Sequence, residues 1–180
     1  MNRTRSHSLE PPLRADLYQS VIQDFGRVLD RLSAGYEANP DKRRDLLQEI
    51  HLQIWRSLAL YDERCSLKTW TLRVAHNTAA SHVARERRSN LRLVSIEDMD
   101  ITASVVAGDV DKQRALDRLS KMVHELKPLD RQIMISYLED LDAATIADVT
   151  GLSPANVAMK IHRIKALLKR RFLGGPDHHE

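Results

Sequence analysis

A chain of 180 residues has room for one domain or two small ones, and 42% hydrophobic with 29% charged residues describes a protein that folds in water. The single cysteine, Cys65, excludes a disulfide framework and points to a reducing cytoplasm. No apolar run approaches the ~20 residues that a membrane-spanning helix needs, and the start, MNRTRSHSLEPPLR, lacks the apolar stretch of a secretory signal.

Taken in order, residues 1–12 are polar, end in Pro11-Pro12 and read as a disordered tail. Apolar residues then recur every three or four positions and strand-like alternation is missing, so the expected fold class is all-α. A first helix is predicted over about 13–34, with Leu17, Val21, Phe25, Val28 and Leu32 on one face. Gly35 and the Asn39-Pro40 turn signal end it. A second, over about 42–60, turns Leu47, Ile50, Ile54 and Leu58 inward, and YDERCS reads as a loop. A third spans about 67–88 with a break expected near Asn77. These three helices enclose one small domain, residues 13–92.

Residues 93–112 lose the periodicity, and from Leu93 to Asp111 they carry Glu97, Asp98, Asp100, Asp109 and Asp111 with no Lys or Arg. They read as a flexible acidic linker. Periodicity returns with Leu116, Leu119, Val123 and Leu126, and helices follow at about 129–138, 143–150 and 154–172, a second helical domain over 113–173 before the tail 174–180. The net charge is only +3, but Lys160, Arg163, Lys165, Lys169, Arg170 and Arg171 fall within twelve residues that hold no acid. Such segregation suits a partner that is a polyanion.

IADVTGLSPANVAMKIHR, residues 146–163, has the form of a helix-turn-helix. Ala147 is small where two helices cross, Gly151 takes the positive φ of the turn, and Ser153-Pro154 cap and start the second helix. Val157, Ile161, Ile164 and Leu168 then face inward, and Ser153, Ala155, Asn156, Met159, Lys160, Arg163 and Lys165 are left as candidate DNA contacts. The cations would hold phosphate, while the Asn156 amide can pair with adenine.

DLLQEIHLQIWRSL (45–58) resembles the polymerase-binding helix of bacterial sigma factors, and SLKTWTLRVAHNTAASHVARERR (66–88) resembles the segment that melts and reads the −10 promoter element. Residues 126–170 resemble the domain that reads the −35 element. The three stand in the expected order, and the short layout resembles the extracytoplasmic-function subfamily of the sigma-70 family. The resemblance implies an alternative sigma factor that binds core RNA polymerase, at the β′ clamp helices and the β flap, and directs initiation at promoter DNA. It implies core-binding roles for Asp45, Gln48, Glu49, Leu52 and Arg56, and −10 roles for Arg73, His76, Asn77, Thr78, Arg85, Arg87 and Arg88. Asn77 suits either a flipped base or a helix cap, and the linker suits either a route through the polymerase or a solvated spacer. Lys42-Arg43-Arg44 stands where many relatives are acidic, which bears on core affinity. An anti-sigma factor or a kinase is the regulator class such a protein admits.

No P-loop, nucleophile elbow or HExxH occurs, and Cys65, His51, His76 and His82 lack ligand spacing. The expectation is a protein without catalysis, metal or cofactor. The competing readings are a stand-alone helix-turn-helix regulator and an adaptor that binds polymerase without DNA.

Overall fold

The computed structural model describes residues 11–93 and 110–173. Among them stand seven α-helices and no strand: α1 (Pro11–Tyr36), α2 (Pro40–Leu58), α3 (Leu67–Leu93), α4 (Val110–His124), α5 (Pro128–Leu138), α6 (Ala143–Thr150) and α7 (Pro154–Leu173). The predicted linker and both tails fall largely outside the described residues. Pro11 and Pro12, expected in the tail, open α1, where missing backbone N–H groups cost nothing. Gly35 does not end that helix, which continues to Tyr36.

Helices α1–α3 pack pairwise. The stripe of α2 is Leu46, Ile50, Ile54 and Leu58, all fully buried. Leu46 therefore takes the inward place expected of Leu47, which is half-buried at the edge of the core. Asn39 caps α2, its side chain accepting from the backbone N–H of Asp41 at 2.9 Å and of Lys42 at 3.1 Å. Pro40 follows as the first helical residue.

α3 runs without the break expected near Asn77. Its sequence has neither Gly nor Pro, and Ala75, Ala79 and Ala80 favour helix through that stretch. Trp70 is half-buried against Tyr61 and donates to Ser57 Oγ at 3.1 Å, in keeping with a core role.

Helices α4–α7 form a second packed unit with Val123, Leu126, Ile133, Ile146, Val157, Ile164 and Leu168 at its centre. The two units also pack on each other, α1 against α4 and α3 against α6, so one cluster of buried side chains extends from Val21 to Leu168. No helix among the described residues is long and apolar enough to cross a membrane.

Candidate functional site

Three surfaces carry the candidate residues. On α2, positions 45, 48, 49, 52 and 56 fall at helical spacing on one face. Asp45, Gln48 and Arg56 are exposed, and Leu52 is 45% exposed, an apolar side chain set among polar ones. Glu49 is half-buried because Arg85 of α3 forks onto it, at 2.6 and 3.1 Å. That pair holds both terminal guanidinium nitrogens, Nη1 and Nη2, and the carboxylate raises the Arg85 pKa further. A candidate core contact and a candidate −10 contact thus engage each other.

The basic run before Asp45 is largely matched within the chain. Lys42 pairs with Glu86 of α3 and Arg44 with Asp41 one turn back. Its charge reaches a partner already screened by those carboxylates.

α3 divides the −10 candidates. Asn77, Arg85 and Arg88 are exposed. Because the helix passes straight through Asn77, the residue is not a cap here and its amide faces outward on a helical surface. Thr78 is 8% exposed and donates to the Val74 carbonyl at 2.8 Å, so its hydroxyl serves its own helix. Arg73 is half-buried and donates to the Asp148 carbonyl of α6 at 2.5 Å. The Arg87 side chain lies outside the described residues.

His76 departs most from expectation. Read as an exposed phosphate contact, it is 1% exposed, with Tyr36 Oη 3.1 Å from Nδ1 and Ser136 Oγ 3.0 Å from Nε2. In a neutral ring one nitrogen donates and the other accepts, and both hydroxyls can take either role. Burial lowers the His76 pKa to about 3 and raises that of Tyr36, so both groups are neutral at pH 7. In this arrangement the imidazole reaches no nucleic acid.

The helix-turn-helix is built as its sequence specifies. Asp142 caps α6 by accepting from Thr145 N–H at 2.7 Å, and that bond pulls its pKa down. Gly151 has φ 77°, and its N–H returns to the Ala147 carbonyl at 2.8 Å. Ser153 Oγ accepts from Asn156 N–H at 3.3 Å at the start of α7. Ser153, Ala155, Asn156, Met159 and Arg163 are exposed, Met159 to 66%.

The remaining cations are more occupied than the sequence suggests. Lys160 is half-buried and paired with Asp130 at 2.8 Å, with Arg163 at 3.9 Å from the same carboxylate. Lys165 points back to Tyr137, its Nζ donating to the hydroxyl at 3.1 Å and standing 5.0 Å from the ring centroid. Asp130 was not singled out from sequence, although its place in the first turn of α5 marks it as fixed by the helix dipole. Tyr36 and Ser136 were missed too; they lie 40 and 60 residues from His76, beyond any local spacing rule.

Against this geometry, the family model for sigma-70 region 2 matches residues 21–89, and that for sigma-70 region 4 matches residues 116–168. The chain belongs to the sigma-70 family. Among similar proteins, the ECF RNA polymerase sigma factor SigK of Mycolicibacterium vanbaalenii is 27% identical over 136 residues, covering 73% of this chain and 69% of the relative. The RNA polymerase sigma factor SigV of Bacillus subtilis is 23% identical over 156 residues, covering 85% and 89%. This is accordingly an extracytoplasmic-function sigma factor, an alternative sigma that works with core RNA polymerase at promoter DNA. The fold agrees: CnrH, solved with the cytosolic domain of CnrY, superposes with TM-score 0.65 at 17% identity over 92% of this chain and 97% of that one. The sigma factor RpoE of Bartonella quintana, solved with the anti-sigma factor NepR, gives 0.67 at 18% over 90% and 99%. The region 2 match falls within α1–α3 and the region 4 match within α4–α7.

Proposed function

We propose that this sigma factor docks on core polymerase through the outward face of α2, reads the −10 element with α3 and reads the −35 element with the start of α7. The observation that carries the reading is the α2 face itself. Asp45, Gln48, Leu52 and Arg56 are presented together on a helix whose opposite side is fully buried, an arrangement a simple DNA-binding regulator has no use for. Acidic and amide groups beside an exposed leucine suit a basic helical partner such as the β′ clamp helices.

On α7, a capped helix start presents Asn156 for an adenine edge, with Arg163 and Lys160 beside it for phosphate. Asn77, outward on α3, is the group placed to meet an unstacked base. The protein supplies recognition and the polymerase supplies the chemistry; the reading assigns the chain no catalytic residue and no metal. An anti-sigma factor of the kind seen with RpoE, or a kinase, is the class of regulator proposed.

Charge reversal tests the docking surface. Asp45→Lys, on an exposed side chain, should leave the fold intact and weaken binding to core polymerase at least tenfold by fluorescence anisotropy. Unchanged affinity would remove the α2 face from the contact.

A further inference from the structure

The contacts of Arg14 with Trp55 and of Tyr18 with His51 show α1 and α2 running antiparallel, so the first turns of α1 lie beside the last turns of α2. There Trp55 is held by two neighbours. The Arg14 guanidinium lies over its ring, with Cζ 4.3 Å from the centroid, and Tyr18 meets it edge-on at 5.4 Å between centroids. Tyr18 is fixed in turn by His51, its hydroxyl 3.2 Å from Nδ1. Trp55 stands one turn beyond Leu52 and next to Arg56, so this cluster borders the outward face of α2.

Among the described residues Arg14 is a cation without an anion. No ion pair includes it, and its Nε is buried without a hydrogen-bond partner. Arg31, Lys42, Arg44 and Arg85 of the same three-helix unit each hold a carboxylate. Stacking on Trp55 fixes the guanidinium, so less freedom is lost when its outer nitrogens meet an anion. The surroundings are apolar and open. Leu13, beside Arg14 in the chain, is 48% exposed, Leu52 45%, and Leu60, just past the end of α2, 68%. Trp, Tyr and Arg set among exposed leucines are the side chains that anchor protein interfaces.

We propose that Arg14, seated on Trp55, is a second anchor of the polymerase contact, and that with Arg56 it makes this end of the docking face basic where the Asp45 end is acidic. The inference rests on the α2 face being the docking surface. Asp45 and Arg56 stand three turns apart, about 16 Å along the helix. The occupant is therefore a helical surface of core polymerase with a basic group opposite Asp45 and a carboxylate opposite Arg14. That polarity sets the direction in which the partner helix lies, since turning it round brings like charges together.

Binding of the full chain to core polymerase, followed by fluorescence anisotropy over a range of salt concentrations, tests this with Arg14→Gln, Arg14→Glu and Asp45→Lys. Arg14→Glu should weaken binding about tenfold and Arg14→Gln less, and affinity should depend less steeply on salt in Arg14→Gln than in the parent. Arg14→Glu binding as tightly as the parent, while Asp45→Lys binds weakly, overturns the inference and leaves the docking face standing. Weaker binding of Arg14→Gln at an unchanged salt dependence overturns it too, because Arg14 would then only hold Trp55 in place. If Asp45→Lys and Arg14→Glu both bind as the parent does, the docking face itself is wrong and the inference falls with it.

Discussion

An imidazole with a hydroxyl on each nitrogen and no access to water is held neutral by its surroundings, and His76 is such a group. Its folded pKa of about 3 lies below the ~6.5 of an unfolded chain. Its contribution to stability is therefore complete above ~6.5 and is lost as pH falls towards 3, at up to about 1.4 kcal/mol per pH unit. Burial lowers His51 and His124 in the same direction. The urea midpoint should fall between pH 7 and pH 5, and His76→Gln should flatten that dependence; equal slopes would contradict the neutral relay. On α7, Lys160→Ala should lower the slope of log affinity against log salt by about one on a duplex of any sequence. An unaltered slope would mean that Asp130 keeps Lys160 from the phosphates. Asn77→Ala should change preference at one −10 base while leaving core affinity untouched, and unchanged preference would remove it from base reading. Spacing alone was enough to place Asp45, Gln48, Asn156 and Met159 on open faces. It could not place His76, whose neighbours come from helices 40 and 60 residues away.

At the scale of the element, the turn between α6 and α7 was the most legible feature. Gly151, Ser153 and Pro154 each have one local job, and each does it. Gly151→Ala meets no atom within 4 Å, so its cost is purely conformational, about 1 kcal/mol from the positive φ. A urea midpoint equal to the parent's would contradict that. The expected break in α3 failed for a local reason as well: a helix that is free of Gly and Pro across Asn77 has nothing to end it, and a base-holding loop there would have to be induced by DNA. In α2 Ile50, Ile54 and Leu58 are buried as expected and only the first position of the stripe differs, because Leu46 and Leu47 both satisfy the pattern and packing against α1 and α3 decides between them.

For the whole molecule, sequence order revealed two helical units and the sigma-70 layout, but not that the units pack together. The deciding pairs, Arg31 with Glu139 and His76 with Ser136, are separated by 108 and 60 residues and carry no signature. As a sigma factor, this chain gives core polymerase its promoter choice. Core RNA polymerase, with and without the purified protein, can be set to transcribe fragmented genomic DNA from the source organism and the 5′ ends sequenced. New start sites should appear only with the protein, each preceded by the same two sequence blocks at fixed spacing, and Asp45→Lys should abolish them. Start sites indistinguishable from those of core alone would mean that the chain does not direct initiation.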